Sequence, residues 1–377
     1  MTAGPGRMRR SDDVPLRTAV LGGGVAGLGL AHGLAARSLP VQVLERFEPS
    51  PTEGFGFLLM PNGCRALAEL GSEVDYRDVG VELRRAVIRT ASGHLLSETP
   101  LDGVIGITRH ALLSSLRQSI DRITPDVIGY GMGFEHFDWS GGLATAAVLD
   151  DGTSVSADLF CGADGIRSRC RAAIMDTPEL RSGRVKEVVA LAEDAALADE
   201  LGDSFVKFVH PDGGLAVGLV PTGAGSIIWF VQFDSHRHEA PCSGAEGPFL
   251  DRCLVGFPDL VQAVHRATRR GTTHVWHTVD IDPVESMFVG NVALVGDAAH
   301  PLLPFTSQGA NTALEDAAAL VAMIERVSCG VETMTLGLHH YELVRRRDAV
   351  RFVAAGRRLA AEFVRPPERE FALPLAT

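Results

Sequence analysis

The stretch TAVLGGGVAGLGLAHGLAARSLPVQVLE, residues 18–45, decides the fold. TAVL is a short apolar run that reads as a buried strand, GGGVAG as a turn, LGLAHGLAAR as an apolar helix and VQVLE as a second strand. These make a β-α-β unit, for which a right-handed crossover is expected. Within the turn, Gly22, Gly24 and Gly27 keep the spacing G-x-G-x-x-G, with Val25 and Ala26 enclosed by the last two. One glycine serves the tight turn, one lets the backbone approach a pyrophosphate and one allows close helix packing, while the helix N-terminus attracts the anion. Glu45 lies 18 positions after Gly27, the spacing of a carboxylate that accepts hydrogen bonds from an adenosine ribose. In this context the fingerprint points to a dinucleotide, without separating NAD from FAD.

The chain around it has 377 residues, 41 of them glycine, and a formal net charge of −12 from 35 basic and 47 acidic side chains. At about 150 residues per domain, two domains are expected. A composition of 46% hydrophobic and 22% charged residues excludes a disordered chain and predicts a soluble, compact one. The acidic balance argues against nucleic acid or an anionic membrane as partner, because polyanion binding is dominated by basic groups that neutralise phosphates. Any phosphate site must therefore be local. The six cysteines, Cys64, Cys161, Cys170, Cys242, Cys253 and Cys329, form no C-x-x-C pair, which fits free thiols in a reducing cytoplasm. Ala19 to Ala36 is apolar, but its glycines and His32 argue against a membrane span or signal peptide. A cytoplasmic location is expected.

Residues 1–16 read as a flexible tail. Further on, a hairpin is expected at Ser92 and Gly93, and a helix from Thr108 to Ile120 with Thr108 as N-cap. Residues 127–161, including SVSADLFC, read as an antiparallel meander, and 184–235 as strand-rich, with LAVGLV and IIWFVQF forming a long hairpin. Pro248 to Thr268 is expected to be helical, NVALVGD a buried strand, Gln308 to Arg326 a long helix, and the arginine-rich segment from Thr335 helical as far as Pro366 and Pro367.

Two further stretches complete a pattern: CGADGIRS at 161–168 after the meander and GDAAHP at 296–301 after a strand. With the fingerprint, and with GFGFLLMPNG, TRHALLSSL, PLLPFTSQGANTALEDA and YELVRRR, the chain resembles the class A flavoprotein monooxygenases. These are the aromatic hydroxylases of para-hydroxybenzoate hydroxylase fold, and the resemblance spans about residues 17–360. It implies an α/β fold: a Rossmann-like FAD-binding domain of the glutathione-reductase type, a smaller β-sheet-based substrate domain and C-terminal helices. The FAD-binding domain would comprise 17–75, 101–178 and 281–330, the substrate domain 76–100 and 179–280, and the helical segment 331–377.

The resemblance further implies that Glu45 binds the adenosine ribose and that Arg46 lies near the adenine. Arg109 would contact the phosphate and ribityl portion, Asp164 and Gly165 form a second fingerprint associated with FAD and transient nicotinamide binding, and Asp297 holds the ribityl hydroxyls. On physical grounds, backbone N–H groups of Gly309, Ala310 and Asn311 at a helix start suit the negative charge of a reduced flavin. Pro304 and Phe305 are expected on the flavin side of the substrate pocket. Trp229, on a strand face with Ile227, Val231 and Phe233, is a candidate for its opposite wall, although such faces more often form core. The family commonly has P-x-x-G-Q-G where this chain has Ser307 in place of the first glycine. Ser307 is expected as an N-cap, with a flavin or substrate contact as the alternative. A loop-stabilising role is expected for His300.

The implied reaction uses NADH or NADPH and O2, through a flavin C4a-hydroperoxide, to hydroxylate or epoxidise an aromatic or polycyclic small molecule such as a secondary metabolite. Alternatives are a reductase or dehydrogenase of the same fold, or a non-catalytic FAD-binding redox sensor. No catalytic residue is assigned; His210, His236, His238, His274 and His277 are the candidates for a base. No metal site is expected, because the histidine pairs lack further ligands at suitable spacing. Trp139, Trp229 and Trp276 do not form the W-x-W-x-I-P motif of flavin halogenases.

Overall fold

Every residue of β1 (Thr18–Leu21) is buried, and the glycine turn leads from it into α1 (Val25–Ala36) and then β2 (Val41–Leu44). β2 lies parallel to β1, which gives the β-α-β unit that the sequence predicts. α1 has no polar face and buries all but its last residue, so it must be enclosed on every side. At Gly33 a Cβ would come within 2.6 Å of Leu70 and 2.7 Å of Val321, so glycine there sets how closely the neighbouring helices approach. The structure is a computed structural model describing residues 15–49, 54–269 and 271–366. Most of the expected N-terminal tail, and residues 367–377 of the expected helical segment, lie outside the described residues.

The chain continues through β3 (Gly56–Leu59), α2 (Pro61–Glu69), β4 (Val81–Thr90), β5 (Leu95–Thr108), α3 (Arg109–Ile123) and β6 (Ile128–Gly129). Next come β7 (Phe134–Ser140), β8 (Leu143–Leu149), β9 (Ser154–Val155), β10 (Leu159–Gly162), α4 (Arg169–Ile174), β11 (Arg181–Ser182) and β12 (Val185–Glu193). α5 (Ala195–Leu201), β13 (Ser204–Val209), β14 (Leu215–Gly223), β15 (Ser226–Asp234), α6 (Glu246–Cys253) and α7 (Asp259–Arg266) follow. The last elements are β16 (His274–Trp276), β17 (Val279–Asp280), β18 (Phe288–Val289), β19 (Val292–Leu294), α8 (Gly309–Ser328) and α9 (Met334–Phe363).

A six-stranded sheet runs β18-β19-β10-β1-β2-β6, parallel throughout except for the edge strand β18. An eight-stranded mixed sheet runs β16-β12-β15-β14-β13-β4-β5-β3. The core around the six-stranded sheet draws in α1, α3 and α8, and a second core fills the space between the eight-stranded sheet and α5 to α7. This is the expected α/β architecture, with a Rossmann-like layer beside a sheet-based one and helices at the C-terminal end. Among the described residues no helix is long and apolar enough to cross a membrane.

Several elements differ from expectation. SVSADLFC is not one meander strand: Ser154 and Val155 pair with β8, while Leu159–Gly162 crosses to lie parallel between β1 and β19. All four residues of β10 are buried, as suits a strand covered on both faces. β5 runs unbroken through the expected boundary at 100/101, and β3, expected in the FAD-binding domain, is the edge of the eight-stranded sheet. Antiparallel pairing with β3 and β4, on both sides of a register shift at 101–103, keeps β5 in that sheet. The strand-rich region contains α5, capped by Asp194, which accepts from the N–H groups of Ala196 and Leu197. The helix expected over 248–268 is two: α6 ends at Cys253, the chain turns away at Gly256 with φ 83°, and Pro258 immediately precedes α7.

Candidate functional site

A cleft of about 520 Å³ opens where the C-terminal ends of the parallel strands face the eight-stranded sheet. Open α/β sheets bind ligands at this end of their strands. One wall carries Gly24, Val25, Ala26, Arg109, Gly165, Asp297, Pro304, Gly309 and Ala310, all expected at a cofactor site. Gly22, Gly27, Glu45, Arg46, Asp164 and Asn311 do not line the cleft, and most of them hold that wall in shape.

Gly22 has φ +117°, and a Cβ there would collide with the Ala163 backbone; a Cβ at Gly27 would collide with the Gly22 carbonyl. Only glycine lets this turn sit between β1, α1 and the segment after β10. Gly24 faces the cleft, where a Cβ would lie 3.5 Å from the Arg109 guanidinium and fill the passage beside it. Glu45 sits just beyond β2, where its carboxylate accepts from the N–H groups of Gly23 at 2.5 Å and Phe47 at 2.8 Å. Arg46 is exposed and 3.9 Å from Asp150, a surface ion pair of little energetic weight.

Asp164 turns from the cleft and accepts from the N–H groups of Arg169 at 2.7 Å and Cys170 at 3.0 Å, holding the start of α4. Its Oδ1 is buried without a partner among the described residues. Arg171, which sequence reasoning missed within GADGIRSRCR, donates to the carbonyls of Ala298 at 2.7 Å and Ile166 at 2.9 Å. It thereby ties the D-G turn to the G-D loop. Asp297 projects from that loop into the cleft, open to the cavity but crowded by protein. Burial raises its carboxyl above the ordinary value, against the opposing charges of His300, Arg109 and Arg171.

The loop before α8 departs from expectation at Ser307, which adopts φ 52°, ψ 25° and is not the N-cap. Gln308 occupies the cap position, without a side-chain bond to the helix. The left-handed region favours glycine, which accounts physically for glycine at this place in the family the chain resembles. Asn311 is fully buried: its amide donates to the carbonyls of Ser307 at 2.7 Å and Leu58 at 3.0 Å and accepts from the Met60 N–H at 2.9 Å. Its side chain thus pins the loop to β3. α1 likewise starts without a side-chain cap, so two helix N-termini that no described side chain caps open onto one cleft. α3, α4 and α9 are capped by Thr108, Ser168 and Thr333, while α2, α6 and α7 also lack a side-chain cap.

His300 is buried behind this wall, 2.6 Å from Asp316, which also accepts from the Gly296 N–H at 2.8 Å and from Arg345 at 2.6 Å. Burial opposes the charged imidazole, but the charge of Asp316 and the hydrogen bond to it outweigh burial and hold His300 above its usual value. Burial likewise works against the Asp316 carboxylate, and His300 with Arg345 outweighs it and holds Asp316 below the usual value. The expected loop-stabilising place of His300 is the one observed.

The opposite wall is the eight-stranded sheet; Trp229, expected on it, and Phe305, expected on the flavin side, are both absent from the cleft. Trp229 is fully buried in the core beneath α6 and α7, with its indole N–H on Thr268 Oγ1 at 3.0 Å. Side chains alternate along a strand, so its neighbours Ile228 and Phe230, with Gln232, face the cleft instead. Phe305 turns from the cleft to pack its ring 5.7 Å from that of Phe363 on α9, leaving Pro304 at the cavity. Trp276 lines the cleft although it was not expected there, and of the five candidate histidines only His274 does so. Among the described residues no group of three or more His, Cys, Asp or Glu is placed to hold a metal.

Sequence reasoning also missed a row of buried polar side chains in this wall. Lys207 Nζ donates to Gln232 Oε1 at 2.7 Å, and Gln232 Nε2 donates to Glu187 Oε1 at 2.7 Å. Burial pushes Lys207 down to about 8 against the charge of Glu187, and burial raises Glu187 against its bond to Gln232 and the charge of Lys207. No local motif marks these residues; their alternation on three strands was the only signal.

The glycine cradle at Gly24, two uncapped helix ends, the Arg109 guanidinium and carboxylates at Glu45 and Asp297 fit an anionic dinucleotide that also carries hydroxyl groups. In comparison with known proteins, the FAD binding domain family matches residues 16–355. The chain is 30% identical over 364 residues to 3-amino-4-hydroxybenzoate 2-monooxygenase of Streptomyces cremeus, covering 94% of this chain and 89% of the relative. It is 29% identical over 344 residues to an FAD-dependent urate hydroxylase of Klebsiella pneumoniae, covering 89% of this chain and 87% of the relative. The crystal structure of Klebsiella pneumoniae HpxO with FAD and uric acid superposes with a TM-score of 0.81 at 26% identity, covering 92% of this chain and 88% of that one.

Proposed function

The chain belongs to the FAD binding domain family and is an FAD-dependent monooxygenase, and from that premise we propose that it hydroxylates an aromatic or polycyclic small molecule, with NADH or NADPH as reductant and O2 as co-substrate. The observation that carries this reading is the cleft itself. One wall is built of glycine turns and helix N-termini, and the other carries Phe205, Val220, Ile228 and Phe230. A planar apolar molecule against the second wall would lie beside a cofactor held on the first.

FAD, when bound, supplies the redox and oxygen-transfer chemistry. In our assignment the turn at Gly22, Gly24 and Gly27, with Val25 and Ala26 at the helix start, receives the pyrophosphate. Glu45 is oriented by two backbone N–H groups to accept from the adenosine ribose, with Arg46 near the adenine. Arg109 lies beside Gly24 to meet the phosphate and ribityl portion, Gly165 leaves its stretch of the wall open, and Asp164 braces that turn from behind. Asp297 accepts from ribityl hydroxyls. The N–H groups that begin α8, at Gly309, Ala310 and Asn311, would stabilise negative charge on a reduced flavin bound there. Pro304 and the apolar sheet wall exclude water from the reacting face. Cofactor handling belongs to the six-stranded layer and substrate handling to the eight-stranded one. Six free cysteines, with Cys242 and Cys329 exposed, support a reducing, cytoplasmic location.

The test uses FAD-loaded protein with NADH, NADPH and a panel of aromatic amines, phenols and heterocycles. A substrate should accelerate NAD(P)H oxidation and oxygen uptake together, and 18O from O2 should enter the product. Oxidation at the same rate without oxygen would favour a reductase, and bound FAD with no NAD(P)H turnover would favour a redox sensor.

A further inference from the structure

Glu187, Gln232 and Lys207 come from three strands of the eight-stranded sheet and form a row on the face that meets the cleft. Glu187 and Gln232 are direct partners across β12 and β15. Lys207 lies one strand farther, beyond β14, where Gly218 stands opposite it and Ala216 stands opposite Gln232. The ring of Phe230 lies over Gly218, and it is the small Ala216 that leaves room for the lysine chain to reach Gln232 across β14. The amide of Gln232 has one possible orientation, because the ammonium needs an acceptor and the carboxylate needs a donor. Gln232 therefore links the two charges and fixes the carboxylate at the cavity.

Each member of the row has a partner within it. Glu187 Oε1 accepts from Gln232, while Oε2 has no hydrogen-bond partner among the described residues, and Glu187 lines the cleft. A carboxylate taken out of water needs its remaining lone pairs filled. The other ionic groups lining the cleft, Arg109 and Asp297, belong to the wall assigned to the cofactor, and His274 stands on the edge strand β16. On the sheet wall between them Glu187 is the one acidic group among the described residues, and Lys207 does not line the cavity but stands behind Gln232. The chain has only two lysines among its 35 basic residues. The lysine here provides a compact point charge on the Gln232 acceptor.

We propose that Glu187, positioned by Gln232 and Lys207, is a specificity-determining residue of the substrate wall: it accepts from an N–H or O–H group of a neutral or cationic aromatic molecule and rejects a carboxylate at that end. The assignment rests on the placement of substrate against the eight-stranded sheet given above. The preferred class is aromatic amines, phenols and N–H heterocycles without an acid group directed at β12 and β15.

Binding without turnover tests this. FAD-loaded protein, with no reductant present, is titrated with 3-aminophenol and with 3-hydroxybenzoate by equilibrium dialysis. The parent should bind the aminophenol about tenfold or more tightly than the benzoate, since a like charge beside Glu187 opposes the latter. In Glu187→Gln the ratio should fall below about threefold while FAD content and thermal midpoint hold, because the amide keeps the shape and loses the charge. A parent that prefers the benzoate or shows no preference overturns the proposal, and so does an unchanged ratio in folded Glu187→Gln. The parent measurement stands even if the variant fails to fold. An active monooxygenase that prefers the carboxylate would sink this assignment alone, whereas the amine preference without NAD(P)H oxidation would sink the proposed activity and leave the recognition intact.

Discussion

Ile228, Phe230 and Gln232 project from β15 into the cleft, whereas Ile227, Trp229, Val231 and Phe233 project from the same strand into the core beneath α6 and α7. Both sets are mostly apolar, and period-2 alternation separates them without saying which faces a ligand. What distinguishes the faces is what lies across from them: helices that close one, and the glycine turns and helix ends of the six-stranded layer that leave a cavity over the other. The facing wall differs in kind, because its glycines and Asp297, with Glu45 behind them, stand in short motifs whose spacing already implies a use. A sheet wall becomes a pocket by default of packing, and a dinucleotide wall is written locally.

The largest effect should separate the two faces of β15. Trp229→Ala opens a hole in a closed core and should cost about 3–5 kcal/mol in chemical denaturation, while Ile228→Ala, at the cavity, should cost less than half as much and change substrate KM. Equal costs would mean that the two faces are not as different as their surroundings. Next, on the cofactor wall, Asp297→Ala should weaken FAD binding by about 100-fold, as loss of a charged hydrogen-bonding partner does, while the apoprotein keeps its stability. Flavin retained as tightly as in the parent would remove Asp297 from the site.

Behind that wall the pH dependence has a definite sign. His300 is raised above its ordinary 6.5, so its contribution is complete below that value and fades as pH rises through its folded value. Asp316 is depressed below its ordinary 3.8, so its contribution is present above that value and is lost as pH falls through its folded value. His300→Gln should therefore flatten the stability profile on the alkaline side of 6.5, as followed by thermal midpoint across pH. The smallest effect belongs to Ser307→Gly, where relief of the left-handed backbone and the added freedom of the unfolded chain oppose each other. The net change should stay within about 0.5 kcal/mol, with FAD bound as before. A large loss of FAD instead would give the Ser307 hydroxyl a direct part in the site.

The strand, turn, helix and acid of residues 18–45 were legible because each depends on neighbours a few residues away: apolar runs, glycine spacing and a carboxylate at the next strand end. The same holds for the Thr108 cap and the hairpin at Gly93. SVSADLFC misled because Leu159–Gly162 pairs with β1 and β19, strands about 140 residues distant on either side, and no local signal announces that crossing. Ser307 read as a cap because serine favours that position, and only the conformation of the folded loop assigns it a left-handed backbone. Phe305 and Trp229 carried the right chemistry for a pocket and were turned elsewhere by their packing partners, Phe363 and the helices over β15.

By itself the sequence determined that this chain builds a β-α-β dinucleotide unit, since close backbone approach to an anion requires small residues at set spacing along the chain, and FAD followed from the resemblance carried by two further loops. Tertiary structure alone decided which strand face meets the cleft and brought Glu187, Gln232 and Lys207 into one row. Those three residues stand 45 positions apart at the ends, Glu187 and Gln232, with Lys207 between them in the chain, and hydrogen-bonded contact among them exists only once β12 to β15 have paired in register.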